Sequence, residues 1–192
     1  MDSKLKYNIN DAIPLLTIID KFKNKPNKYV NFINEIRKKD SNDKKLYPLS
    51  YKEDDELILV YSTDENVNVN VNVNENTYNK LNFGTRCVIL EKETLKPILT
   101  QYNKIVYNEE ADKLITNWDN VVIQKCYEGT LISVYYHKKW YVSTRRCLDS
   151  KKSIWIKSKS YYEMFQDCID GKFKLEDLNK DYVYTFVLIH NQ

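Results

Sequence analysis

The densest run of chemistry-bearing side chains lies between residues 138 and 159. It carries Lys138, Lys139, Arg145, Arg146, Lys151, Lys152, Lys157 and Lys159 against a single acid, Asp149. Trp140, Tyr141 and Trp155 are interleaved with these cations. Cations neutralise phosphates and release counterions, while aromatic faces stack on unpaired bases, so the pattern suits a groove for single-stranded RNA. Lys138, Lys139, Trp140, Arg146, Lys151 and Lys152 are the candidate RNA contacts. The alternative is a solvated basic face with its tryptophans turned into the core.

Other chemistries find less support. The four cysteines, Cys87, Cys126, Cys147 and Cys168, include no C-x-x-C pair, and neither histidine sits at metal-ligand spacing. We expect reduced thiols, some of them in the core, and no metal centre. No run approaches roughly 18 consecutive apolar residues, so no membrane span is expected. IPLLTIID near the N-terminus is too short and too acidic for a signal peptide. The net charge of +3 is the small remainder of 30 basic and 27 acidic residues, so the placement of charge matters more than its sum.

The elements that must position these residues follow from periodicity. Residues 10–40 read as two helices. Asn10 or Asp11 caps the first, and Ile13, Leu16, Ile19 and Phe22 form its apolar stripe. Val30, Phe32, Ile33 and Ile36 are the apolar set of the second, from about Lys28 to Lys39. ELILVYS (56–62) reads as a strand, and VNVNVNVN (67–74) as an expanded surface loop. RCVILE (86–91), PILTQYN (97–103), VVIQKCY (121–127), TLISVYY (130–136), WYVSTRR (140–146) and VYTFVLI (183–189) follow as strands. A tight turn at His137-Lys138-Lys139 joins the central hairpin, with Leu131 or Ile132 facing the core. EEADKLITNW (109–118) and SYYEMFQDCI (160–169) read as helices, the latter with Tyr161, Phe165, Cys168 and Ile169 on one face. The class is α+β with a largely antiparallel sheet. Residues 1–45 form a helical segment, and 46–192 one domain with a low-complexity loop at about 64–80.

Four blocks, in order, resemble the nucleotidyltransferase part of bacteriophage tRNA-repair RNA ligases. FGTRCVIL matches an R-G-x-x-hydrophobic strand at Arg86, with Cys87 in the glycine place. KIVYNEE matches K-F-F-N-x-x-E at Lys104 and Glu110, with Val106 in an aromatic place. CYEGT matches the adenylation motif K-x-D/E-G-S/T at Glu128, Gly129 and Thr130, with Cys126 in the lysine place. STRRCLD follows with Arg145 in the basic place of T-K-G-S. YTFVLIH resembles F-x-F-E, with Ile189 where the ribose-binding glutamate falls. The sequence given stops at Gln192, ahead of the family's last glutamate and lysine motifs, so we expect a shortened form of the fold.

The resemblance implies a nucleotidyltransferase fold with ATP and magnesium as cofactors and RNA as partner. It places Arg86, Lys104, Glu128, Gly129 and Arg145 around the nucleotide. The family's lysine attacks the α-phosphate as a neutral amine held in line with the leaving pyrophosphate. Lys125 is the candidate here, one residue early. Strand period puts it on the face opposite Cys126, which we expect buried beside the pocket, so Lys125 needs a bulge to turn inward. The expected function is binding of nucleotide or RNA without completed ligation. The alternatives are an ATP-dependent ligase using Lys125 and a non-catalytic scaffold that docks through its N-terminal helices. The Asn- and Lys-rich composition, with the resemblance, suggests a large DNA virus and hence the host cytoplasm.

Overall fold

The computed structural model describes residues 14–63, 81–82, 84–102, 105, 107–156 and 159–189. The expected Asn10/Asp11 cap, Ile13, the VNVNVNVN loop, Lys104, Val106 and Lys157 lie outside the described residues.

Helices α1 (Leu16–Ile19) and α2 (Lys28–Ile36) come first. Strands β1 (Leu49–Glu53), β2 (Leu57–Ser62), β3 (Val88–Glu91) and β4 (Pro97–Thr100) then form an antiparallel meander in chain order. After α3 (Asn108–Leu114), β5 (Thr130–His137) and β6 (Lys139–Thr144) make a hairpin. A ribbon of β7 (Ile154–Ile156) and β8 (Lys159–Ser160) leads into α4 (Tyr161–Ile169). The last strand, β9 (Tyr184–Leu188), pairs antiparallel with the free edge of β5, giving a sheet of order β6-β5-β9. The class is therefore α+β with mostly antiparallel sheets, and no described helix is long and apolar enough to cross a membrane.

Strand period two builds the layers. On β2, Ile58 and Val60 pack against Phe32, Ile33 and Ile36 of α2 and against α1. Leu57 and Leu59 on its other face meet Tyr135 and Tyr141 of the hairpin, together with Cys87, Ile89 and Leu99. The far face of the hairpin, Ile132, Val134 and Val142, covers Met164, Phe165 and Ile169 of α4. The order is helices, sheet, sheet, helix. The apolar face of α2 packs on the first sheet through Phe32, Ile33 and Ile36, while Val30, expected in the same set, is exposed.

Polar contacts also join the two sheets. Gln101 Nε2 donates to Ser133 Oγ at 2.7 Å, both buried. The Tyr135 hydroxyl lies 3.0 Å from Ser143 Oγ, which donates to the Leu148 carbonyl at 2.6 Å. At the hairpin turn Lys138 donates to the Glu56 carboxylate, and His137 Nε2 stands 3.9 Å from carboxylates of both Glu56 and Glu91. The turn is centred on Lys138, whose φ is +58°, with His137 paired to Lys139 across it. Ile132 faces the core as expected. A capping box starts α4: Ser160 Oγ accepts the Glu163 N–H at 3.2 Å, and the Glu163 carboxylate accepts the Ser160 N–H at 2.7 Å.

Several expectations are corrected. VVIQKCY (121–127) forms no strand: it pairs with no described strand, β5 being flanked by β6 and β9, and Val122 and Ile123 are exposed. Cys126 is accordingly exposed, not a buried filler. Cys168 is exposed as well, its place in the α4 core taken by Met164. Leu15 and Ile18 join the expected Ile19 and Phe22 in the core, and the expected Leu16 is partly buried against it. Strand β1 carries little local signal, since LSYKE offers only Leu49 and Tyr51 as alternating apolar positions before a run of charge.

Candidate nucleic-acid interface

Arg86 and Arg145 flank the buried Cys87 thiol. Burial pushes that thiol up to about 12, against the opposing pull of the two guanidiniums, Arg145 the stronger. Lys125 and Glu128 are exposed on the 121–128 segment, and the Lys125 ammonium rests 4.9 Å from the Tyr127 ring centroid. Gly129 has a packing reason of its own. A Cβ there would lie 2.5 Å from the Leu188 carbonyl oxygen and 2.9 Å from Val187 Cγ1.

The basic-aromatic window fares differently. A groove of about 840 Å³ runs between the β1 end, the hairpin, the turn after β6 and α4. Four of the expected RNA contacts line it: Lys139, Trp140, Lys151 and Lys152. Lys138 is drawn off to Glu56 at the opposite sheet, and Arg146 lies over the Tyr61 ring at 5.8 Å. Lys52 and Lys180 join the groove from β1 and from the segment before β9. Both were missed in the sequence because each sits among acids, in YKEDDE and LNKDY. Only the juxtaposition of distant segments makes them part of a cationic surface.

Aromatic faces hold these ammonium groups in place. Lys139 lies 5.1 Å from the Tyr141 centroid, Lys151 4.5 Å from Tyr162, and Lys180 4.4 Å from Tyr136. Tyr136 and Trp140 meet edge to face at 5.4 Å. The groove also holds four acids, and three are committed elsewhere. Glu53 accepts the Tyr29 hydroxyl and pairs with Lys92 at 3.3 Å. Asp54 accepts the Glu56 and Leu57 N–H groups. Asp149 accepts the Lys151 N–H at 3.1 Å, capping a short turn. Among the described residues the side chains of Lys139, Lys151 and Lys180 form no ion pair with them. At one end the Tyr141 hydroxyl is pushed up by burial and then by Asp54, Glu56 and Asp55, so that end is acidic. Lys151, Lys152 and Lys180 carry the cationic side.

Over 118 aligned residues the chain is 27% identical to a protein of Invertebrate iridescent virus 3 described as an immediate-early protein ICP-46 homolog. The alignment takes in 54% of this chain and 27% of the viral protein, so the chain spans about a quarter of that relative's length. No protein-family model matches the chain, and no solved structure does.

Proposed function

We propose that this domain binds single-stranded RNA in the groove between the hairpin and α4, as an RNA-ligase-like nucleotidyltransferase module that does not complete ligation. The observation that carries the reading is the groove itself. Three of its lysines, Lys139, Lys151 and Lys180, lie against aromatic rings without an ion-pair partner among the described residues, while three of its four acids are tied into turns or into Tyr29 and Lys92. A polyanion therefore meets cations and π-faces in that space, the two things an unpaired strand needs. The ligase-like motif order and the viral relative support the family and the host-cell setting proposed here.

Fluorescence anisotropy with a labelled oligouridylate tests the groove. Lys151→Glu with Lys152→Glu should weaken binding at least about tenfold and flatten the dependence on salt, because fewer counterions are released. Two lysine reversals on the opposite layer, Lys23→Glu with Lys25→Glu, should leave it near wild type. Equal loss in both double variants would reduce the effect to net charge and remove the groove from the account.

The enzymatic alternative is decided by incubation with labelled ATP and magnesium and a denaturing gel. We expect no covalent label, since Lys125 sits on an exposed segment without a strand partner. Label that survives denaturation and vanishes in Lys125→Ala would establish the adenylating reading.

A further inference from the structure

Beside the groove lies a second, smaller cavity of about 300 Å³, and the two share Tyr136 and Lys180. We propose that this cavity receives one unpaired guanine base from the strand held in the groove, a proposal that rests on the groove reading. The volume falls at the bottom of the range for small-molecule sites, roughly 300–1,000 Å³, which suits a single ring system. Its walls are those of a base site. Tyr182 is 60% exposed and offers an open ring, Ile98 and Val183 supply apolar surface, and Tyr136 forms the side toward the groove. A strand lying across the Lys180–Tyr136 stack thus has its next base at the mouth of this cavity.

The polar groups in the lining select among bases. Glu91 and Asp181 bring carboxylates, which only accept hydrogen bonds when ionised, and Lys96 brings an ammonium, which only donates. Among the described residues neither Asp181 nor Lys96 has an ion-pair partner, and Asp181 engages the protein through its backbone N–H to Asn179. Lys180, the other ammonium in the lining, is held over the Tyr136 ring, and Glu91 also accepts the Thr94 hydroxyl and stands 3.9 Å from His137 Nε2; the remaining acceptor capacity of Glu91 and Asp181 beside the Lys96 donor complements the guanine edge, where N1–H and N2–H stand next to O6. Adenine, cytosine and uracil each present a single donor group on that edge. Unpaired bases are read in this way, by stacking on an aromatic ring and by hydrogen bonds along the Watson–Crick edge.

The test compares an oligouridylate eight-mer with the same strand carrying one central guanosine, and guanosine monophosphate with uridine monophosphate. The guanosine strand should bind wild-type protein about tenfold more tightly. Asp181→Asn and Tyr182→Ala are both exposed changes, and each should erase that preference, read as the ratio of guanosine-strand to all-uridine affinity within the same variant. Circular dichroism confirms that both variants are folded. Equal binding of the two strands to wild type would overturn the guanine site and leave the groove standing. Binding of guanosine monophosphate without binding of either strand would support the cavity and remove the groove. Binding of none of the four would remove both.

Discussion

Gly129→Ala should cost about 3 kcal/mol of stability and release β9 from the hairpin sheet. The added Cβ would stand 2.5 Å from a backbone oxygen of Leu188, and backbone in a paired strand has nowhere to go. Thr130 pairs with Leu188 directly beside the collision, so relief has to come from unpairing the end of β9. Urea denaturation measures the cost, and amide hydrogen exchange of residues 184–188 locates it. Gly171 provides the contrast. It has open space around its Cβ direction but a φ of +68°, so Gly171→Ala should cost about 1 kcal/mol through backbone conformation alone. Should Gly129→Ala prove as mild as Gly171→Ala, with β9 still protected, the close approach would not be what that position requires.

Glu35→Ala should destabilise the fold by about 2–3 kcal/mol, because it strips a nearly buried hub of its acceptor. The Glu35 carboxylate accepts the Tyr47 hydroxyl at 2.9 Å, meets Lys38 at 2.5 Å and meets Lys21 at 3.4 Å. Burial pushes this carboxyl up, but Lys38, Tyr47 and then Lys21 together outweigh it and hold it below its ordinary value. A depressed carboxyl contributes stability that is present above its unfolded value and lost as pH falls through the folded one. Tyr47 works at the other limit. Burial first, then the bond to Glu35, raises its hydroxyl to about 12, so its contribution is present below 10.0 and lost as pH rises toward 12. The stability plateau should therefore run from just above the carboxylate range to about pH 10, by thermal melts across pH. Glu35→Gln keeps an acceptor for Tyr47 and should flatten only the acid limb. An acid limb that is unchanged in Glu35→Gln would place the acid sensitivity elsewhere.

Much of the architecture was legible before any coordinates. The strands at 57–62, 88–91 and 130–144, the terminal strand and the helix after Ser160 follow from apolar period and from Ser-x-x-Glu spacing, which act over a few neighbouring residues. The hairpin turn at Lys138 was legible for the same reason. The sequence also singled out the basic-aromatic window, four of whose six named contacts, Lys139, Trp140, Lys151 and Lys152, line one groove.

Tertiary structure decided what local pattern cannot carry. VVIQKCY has the β-branched composition of a strand, yet a strand exists only where it pairs with another. Once β6 and β9 had taken both edges of β5, residues 121–127 stayed unpaired and took Lys125 and Cys126 into solvent with them. Arg86 and Arg145, far apart in the chain, meet around Cys87 because the two sheets pack face to face. Lys52 and Lys180 read as parts of neutral, mixed-charge runs and become groove cations only when β1, the hairpin and the segment before β9 are brought together. Periodicity reports which face of an element is apolar. Which elements share an edge, and which charges then share a space, depends on contacts between residues far apart along the chain, and the physical reason is competition: each edge and each apolar face can be satisfied only once.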